Sequence, residues 1–386
     1  MISRESKLDY VDVVRGIAIL MVILVHTAQR IPNLSALADS FAKYGQMGVQ
    51  LFFVASAYTL CMTFEKREGE SSSILKFYAR RFFRIAPLYY IAILIYYVFN
   101  LIKLRTGGGE GFQVDTYTFE NLMANLLLVH GLIPSAINTV VPGGWSIGTE
   151  IVFYLCFPFI FFVSRYSYKQ KGFWALVCLF ALFIGINLII QLTFIYNTNL
   201  ILNNNTFLYF YFINQLPVFM VGIAAYLYQK ENYKKFKIEN KFLILLFLIP
   251  TTLVMLLWRL DVDFFFSIIP TLSAMSFFCL IIYLKQNAID NIIIRKIGKI
   301  SFYLYIFHFI FVIVLIPLVN KYLSNILTAE VILLISFIVV LIPTYLIAKL
   351  TERHIEKKGI LLGSKIIARV FDKKQGSRRL SHGDGM

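Results

Sequence analysis

Two basic side chains near the amino terminus are spaced so that they could act together inside a membrane. Arg15 and His26 belong to the stretch DVVRGIAILMVILVH, which is otherwise almost entirely apolar. Their separation is three helical turns to within about 20°, so both lie on one helix face, roughly 16 Å apart. Charge in such a segment is costly and usually faces a cavity or a partner. Asp12, one turn before Arg15, is the predicted counter-charge. The alternatives are a snorkelling arginine and a packed histidine.

Three further arginines precede the third apolar run, in the stretch FYARRFFRIAPLYY. Arg81 and Arg84 are three residues apart and point the same way on a helix, with Arg80 beside them. Clustered guanidinium groups are well suited to binding phosphate, because each presents several donors in a plane. The alternative is that these arginines only anchor the helix end at the cytoplasmic surface.

A carboxylate enters the fourth apolar run, in the stretch GGWSIGTEIVFYL. Glu150 is predicted to lie about one turn inside the outer end of this span, where an unpaired acid is costly and therefore a functional candidate. The alternative is an acid near the positive end of a helix dipole. Trp145, taken alone, is typical of an interfacial aromatic belt.

A polar stripe marks the start of the ninth apolar run, in the stretch KISFYLYIFHF. Ser301, Tyr305 and His308 occur at positions i, i+4 and i+7, which is one helix face. Such a stripe indicates hydrogen bonds between helices, with direct chemistry as the alternative. His130, in a short outer apolar piece, is predicted to be a surface or lid histidine.

Composition indicates an all-α polytopic membrane protein. The 386 residues are 59% hydrophobic, and the mean hydropathy is +0.72. The apolar runs are each long enough to cross a hydrocarbon layer of ~30 Å as a helix. The pattern predicts about ten transmembrane helices, at residues 10–29, 46–64, 85–102, 145–164, 173–195, 207–228, 242–258, 264–284, 300–320 and 329–349.

The net charge of +16 is explained by membrane orientation, so nucleic acid is not an expected partner. If the amino terminus is cytoplasmic, 30 of the 37 Lys and Arg residues lie in inner segments and six in outer loops. This bias predicts that both termini are cytoplasmic. It also predicts that the segment 121–133, which is too short to span, does not cross the membrane.

The chain is predicted to form an integral-membrane domain at residues 1–350 and a tail at 351–386. The tail mixes lysines with aliphatic residues, which indicates an amphipathic cytoplasmic segment on anionic lipid, and its last residues are expected to be disordered. The four cysteines all fall in apolar runs without metal-ligand spacing, so they are interpreted as packing residues and no metal is expected.

Taken in their order along the chain, the four motifs resemble those of the acyltransferase family 3 membrane proteins, which O-acylate carbohydrates. The family opens with an Asp-x-hydrophobic-Arg-Gly run and carries a histidine after its arginine, here Asp12, Arg15 and His26. It then has an Arg-x-x-Arg pair, similar to Arg81 and Arg84. The remaining matches are Trp145, Ser146 and Glu150 in the third motif, and Ser301, Tyr305 and His308 in the fourth.

The resemblance implies a membrane O-acyltransferase in which cytoplasmic acyl-CoA, most simply acetyl-CoA, is the donor. The acceptor would be a hydroxyl of a cell-surface or lipid-linked carbohydrate across a bacterial inner membrane. His26 would be the general base, oriented by Glu150, with a covalent acyl-histidine relay as the alternative. The implied donor-binding residues are Arg15, Arg80, Arg81 and Arg84. The implied substrate or structural supports are Asp12, Trp145, Ser146, Tyr305 and His308.

Two other function classes fit parts of the pattern. A proton-coupled transporter or flippase of a glycan or small anion could use His26 and Glu150 as proton carriers. No internal repeat is visible, and the arginine cluster has no role there, so this class is disfavoured. A metal-dependent membrane hydrolase would use His26, Glu150 and His308, but the sequence has no His-Glu-x-x-His pair.

Overall fold

Within the residues that the structure describes, the protein is a helical bundle with ten helical segments able to cross a membrane. A computed structural model describes residues 9–105, 114–198, 206–232, 238–260 and 265–372. The α-helices are α1 Asp9–Ala28, α2 Ala36–Tyr44, α3 Gly48–Glu65, α4 Ser73–Arg105, α5 Phe119–Leu126, α6 Gly144–Lys171, α7 Phe173–Thr198, α8 Thr206–Phe210, α9 Phe212–Asn232, α10 Asn240–Leu260, α11 Phe265–Gln286, α12 Ile292–Lys299, α13 Ser301–Leu323, α14 Ala329–Thr351 and α15 Lys357–Ile367.

The predicted all-α fold with about ten spans is confirmed. The main difference lies in the third span, because α4 begins at Ser73, well before the apolar run. Arg80, Arg81 and Arg84 therefore stand inside one continuous helix. The second span combines α2 and α3 through a short 3-10 turn at Gly45–Met47.

Helix α1 lies inside the bundle and contacts α3, α12, α13 and α14. Glycines allow its backbone to approach α12 closely. A Cβ added at Gly16 would lie 2.2 Å from the carbonyl oxygen of Ile294, and one at Gly298 would lie 1.7 Å from that of Asp12. Helices in lipid associate mainly through close packing, so small residues at this crossing fix the position of the motif-bearing helix.

The outward face of the bundle is apolar, as expected for a protein surrounded by lipid. Leu245, Leu246, Leu248 and Ile249 on α10 are each about half exposed. A row of exposed aliphatic side chains of this kind would be an aggregation hazard in water. The ten apolar helices and this surface make the chain an integral membrane protein.

The segment 121–133 does not form a membrane-crossing helix, as predicted. It consists of α5 and a 3-10 turn at His130–Leu132 that packs against α6. The predicted surface or lid position of His130 is wrong, because this side chain is fully buried. Its Nε2 lies 3.0 Å from the hydroxyl of Tyr89 and 3.1 Å from the carbonyl oxygen of Gly144. Burial lowers the pKa of His130 to about 4.

The carboxyl-terminal helix α15 packs along α4. A Cβ at Gly363 would lie 2.7 Å from Cβ of Phe83, so the two helices touch closely. Leu361 and Leu362 are exposed on the other side, which is consistent with an amphipathic segment. The disorder predicted for the last residues falls almost wholly on 373–386, outside the described residues, and the domain boundary at 350 stays a prediction.

Candidate active site

A cavity of about 100 Å³ opens between α1, α3, α4, α6, α12 and α13. All four sequence motifs contribute side chains to it, and the contribution of the first motif is Arg15. Its polar and charged lining residues are Arg15, Ser56, Arg84, Ser146, Glu150, Tyr154, Lys299, Ser301, Tyr303 and Tyr305. In a membrane bundle, such a concentration of polar groups around one cavity indicates a binding or catalytic site.

Three cations and one carboxylate give the cavity a positive balance. Arg15 and Arg84 face it from α1 and α4, and Lys299 faces it from the end of α12. Arg15 donates a hydrogen bond from Nη2 to Thr59 Oγ1 at 3.2 Å. Among the described residues Arg15 and Asp12 form no close ion pair, but their charges interact electrostatically, so Asp12 is a counter-charge of Arg15, as predicted. The cavity can therefore accept a polyanionic ligand.

Glu150 stands six residues after the start of α6 at Gly144, between one and two helical turns inside the helix. Its carboxylate accepts hydrogen bonds from the hydroxyl of Ser56 and, at 2.6 Å, from the hydroxyl of Tyr154. Glu150 also interacts electrostatically with Arg15. A helix dipole acts mainly on groups in the first turn of a helix. Glu150 lies beyond that turn, so the dipole alternative does not account for it.

The arginines of α4 separate into two groups. Arg84 faces the main cavity, whereas Arg80 and Arg81 line a smaller cavity of about 20 Å³. Arg80 forms an ion pair with Glu70. Arg81 is held deeper, where its Nη2 donates to Thr63 Oγ1 at 3.3 Å.

Arg81 also lies over two aromatic rings, those of Phe77 and Tyr154, at 5.6 and 5.7 Å from the ring centroids. Tyr154 connects the two cavities, because Arg81 of the smaller cavity lies over its ring and its hydroxyl donates to Glu150 of the main cavity. Removal of Arg81 should therefore disturb packing in both cavities, and an interpretation as a surface anchor does not fit it.

The third and fourth motifs meet at one end of the cavity. Ser146 Oγ lies 2.8 Å from the hydroxyl of Tyr305, which donates to the carbonyl oxygen of Gly143 at 2.9 Å. Gly143 has a φ of +74°, a backbone conformation that favours glycine. Trp145 is buried and stacks on Phe210 with ring centroids 4.3 Å apart, so its interpretation as a membrane-belt residue is wrong.

His26 lies near the other end of α1 and belongs to a separate polar group. Its Nδ1 is 2.9 Å from Gln29 Oε1. Its ring lies 5.4 Å from that of His308 and 4.5 Å from that of Phe309, centroid to centroid. The orienting contact predicted between His26 and Glu150 is absent among the described hydrogen bonds. The structure pairs His26 with His308 instead.

Tyr305 connects the cavity to the histidines. Tyr305 lines the cavity, and its ring lies 5.8 Å from that of His308. His308 is one helical turn further along α13 and is next to His26. Tyr305 thus stands between the cavity and the two histidines, whereas Glu150 is held by Ser56 and Tyr154.

Ser56, Tyr154 and Lys299 are site residues that sequence reasoning missed. Tyr154 follows Glu150 by one helical turn, so its spacing could have revealed it. Lys299 opens the fourth motif, and its charge also fits the excess of Lys and Arg that predicts membrane orientation, so its place in the site was not recognised. Ser56 gave no signal, because it meets Glu150 only through the packing of α3 against α6.

The trio required for a metal-dependent hydrolase is not brought together, since Glu150 lies with Ser56 and Tyr154 while His26 lies with His308. Within the described residues, no group of three or more His, Cys, Asp or Glu side chains is arranged to hold a metal ion.

Comparison with known proteins identifies the family. A family profile described as an acyltransferase domain matches residues 8–349. The acyltransferase MdmB of Streptomyces mycarofaciens is 28% identical over 136 residues, which are 34% of this chain and 32% of MdmB. The peptidoglycan O-acetyltransferase OatA of Listeria monocytogenes is 28% identical over 158 residues, which are 38% of this chain and 23% of OatA. The matches thus span about a third and a quarter of these two relatives, and no solved structure matches the chain. Because the family profile covers nearly the whole membrane bundle and its motif residues, the chain belongs to the acyltransferase 3 family.

Proposed function

We propose that this protein moves an acetyl group from cytoplasmic acetyl-CoA to a hydroxyl of a cell-envelope carbohydrate on the other side of the membrane. The observation that carries the proposal is the cavity with three cations, Arg15, Arg84 and Lys299, inside the bundle of an acyltransferase. The name of OatA, a peptidoglycan O-acetyltransferase, supports an oxygen acceptor on carbohydrate.

The cations would bind the phosphates of the nucleotide end of coenzyme A. Arg15 and Arg84 face the cavity directly, and Lys299 adds a third positive charge. Each charge-assisted hydrogen bond to phosphate is worth roughly 1.5–3 kcal/mol. Arg80 and Arg81 would extend the positive field along α4, although Glu70 already neutralises part of Arg80.

Glu150 would act within the donor cavity. Its carboxylate holds the hydroxyl groups of Ser56 and Tyr154 and balances the charge of Arg15. A carboxylate in this place compensates the charge of the buried guanidinium before the donor arrives, because a buried charge without a partner is costly. Its link to His26 would then be indirect, through Tyr305 and His308.

His26 would carry out the proton chemistry. It would take the proton of the acceptor hydroxyl while the oxygen attacks the thioester carbonyl carbon and the C–S bond breaks. The leaving thiolate then receives a proton, so the products are the ester and free coenzyme A. In the alternative, His26 itself attacks and forms an acyl-histidine before transfer.

The reaction requires one fixed orientation of the protein in a bacterial inner membrane, with both termini in the cytoplasm. A cysteine-free variant provides the background for testing it. We expect Lys296→Cys to react with an impermeant thiol reagent only from the cytoplasmic side. We expect Asn138→Cys, an exposed position before α6, to react only from outside. The reverse labelling would place the cations away from cytoplasmic coenzyme A.

The direct test of function uses membrane vesicles from expressing cells, which supply their own acceptor, and acetyl-CoA with a radiolabelled acetyl group. The proposal predicts base-labile label in the carbohydrate fraction and release of free coenzyme A in equal amounts. A proton-coupled transporter or flippase predicts neither, and acetyl-CoA would not bind to the purified protein.

A further inference from the structure

The imidazole of His308 is fully buried and has one nitrogen without a partner. Its Nδ1 lies 2.7 Å from the carbonyl oxygen of Tyr305 and 3.2 Å from that of Leu304. Carbonyl oxygens only accept hydrogen bonds, so Nδ1 carries the hydrogen atom. Nε2 therefore holds a lone pair, and it has no hydrogen-bond partner among the described residues.

A buried acceptor without a donor is costly, and such groups are rare unless they serve a function. The neighbouring polar ring is that of His26, with centroids 5.4 Å apart and planes inclined by 35°. Phe309 packs against both rings, at 4.5 Å from His26 and 4.1 Å from His308. The two imidazoles form no hydrogen bond in this structure, and at this separation their ring nitrogens come within hydrogen-bond reach only when they point at each other.

Apart from His308, the groups around His26 include no base that could share a proton with it, among the described residues. Gln29, its hydrogen-bond partner, is neutral. Arg30, the nearby cation, has no lone pair with which to accept a proton. Tyr305, the other titratable group facing the pair, lies on the far side of His308. No carboxylate binds either imidazole among the described hydrogen bonds, so Nε2 of His308 is the base next to His26.

We propose that His26 and His308 form a two-histidine proton site, an inference that rests on the proposed acyl transfer. When His26 takes the proton of the acceptor hydroxyl, Nε2 of His308 shares it. The hydroxyl oxygen bonds to the acyl carbon, the C–S bond breaks, and the proton passes from the pair to the coenzyme A thiolate. His308 is thus a positioning residue that acts through His26.

The substitution His308→Asn separates this role from packing. An asparagine amide can keep the donor to the Tyr305 carbonyl that Nδ1 supplies, but it has no basic nitrogen in place of Nε2. A matched control is His354→Asn, because His354 is exposed in the carboxyl-terminal segment. Transfer of radiolabelled acetyl to vesicle carbohydrate is measured across pH, together with binding of coenzyme A by calorimetry.

The proposal predicts that His308→Asn lowers the maximal rate by about 10²–10⁴-fold, the usual contribution of positioned acid–base groups. The affinity for coenzyme A stays within twofold, the pH profile of the residual rate changes shape, and the control behaves as wild type. A rate above a third of wild type with an unchanged pH profile would overturn it, because packing alone would then explain His308. If wild-type vesicles transfer no acetyl, or His26→Ala remains active, the proposed function itself fails.

A measurement on unmodified protein covers the case in which His308→Asn does not fold. The protein is labelled with ¹⁵N-histidine, and the ring-nitrogen signals are followed as the pH is lowered. One proton shared by the two imidazoles predicts that the Nε2 signal of His308 moves together with that of His26, and that this movement is lost in His26→Ala. A His308 signal that does not respond when His26 takes up a proton contradicts the two-histidine site.

Discussion

Ser146 Oγ and the hydroxyl of Tyr305 lie 2.8 Å apart and connect the start of α6 to α13. Residues 159 positions apart in sequence thus form a direct contact at the end of the cavity. Tyr305 also donates to the carbonyl of Gly143. The contact places the third and fourth motifs in one unit, with the cavity that holds the three cations on one side and His308 on the other.

The first prediction concerns this contact. Tyr305→Phe removes a buried hydroxyl that contacts Ser146 and the carbonyl of Gly143, which keep the 3.1 Å hydrogen bond between them. The expected cost is therefore the net contribution of one hydrogen bond, about 0.5–1.5 kcal/mol. We expect a lower midpoint of thermal unfolding in detergent, and Tyr166→Phe, at an exposed position, serves as the control. The double variant with Ser146→Ala should lose less than the sum of the two single variants. Strict additivity would show that the two hydroxyls do not interact.

The second prediction concerns donor binding. Arg84→Ala removes a cation that faces the main cavity. We expect coenzyme A to bind about ten- to a hundredfold more weakly by calorimetry, as for the loss of one charge-assisted phosphate contact. Lys169→Ala, an exposed position at the end of α6, should leave the affinity unchanged. Equal affinities for the two variants would mean that the cavity does not bind the phosphates.

The number and approximate position of the membrane-spanning helices were predictable from sequence, because the length of an apolar run and the charges beside it are local properties of the chain. The ten apolar runs follow from hydrocarbon thickness alone. The contacts within the site were less predictable, since Ser56 reaches Glu150 from another helix. The contact predicted between His26 and Glu150 is absent among the described hydrogen bonds, because helix rotation decides which neighbour a side chain faces. Local spacing could not supply that rotation, which depends on close crossings such as Gly16 on Ile294.

The third prediction tests the close crossing of α1 and α12. Gly16→Ala would place a Cβ 2.2 Å from a backbone carbonyl oxygen of Ile294, which a side-chain rotation cannot relieve. Overpacking of this kind costs about 1–3 kcal/mol or more. We expect a lower unfolding midpoint and poorer yield of monodisperse protein. Gly185→Ala is the matched control, since nothing lies within 4 Å of a Cβ there. Equal behaviour of the two variants would contradict the packing.

The fourth prediction uses the buried His130. Burial lowers its pKa to about 4 in the folded protein, below an ordinary value of ~6.5. Between these values the unfolded chain binds more protons, so stability is complete above pH 6.5 and is lost as pH falls toward 4. The loss at pH 5 is about 2 kcal/mol.

We expect the unfolding midpoint of the wild-type protein to fall between pH 7 and pH 5 by more than that of His130→Gln. Glutamine can keep a donor to the carbonyl of Gly144 without titrating. Parallel pH dependences of the two proteins would show that His130 is not the titrating group.

The measurement that tests the central claim most directly compares envelope carbohydrates from three strains by mass spectrometry. The strains carry the wild-type protein, His26→Ala or no copy of the gene. The account predicts acetyl esters that require the wild-type protein and are absent with His26→Ala. Purified His26→Ala should still bind coenzyme A within twofold of wild type, because His26 lies apart from the cations of the donor cavity. Near-normal acetylation with His26→Ala would contradict both the general-base and the acyl-histidine mechanisms.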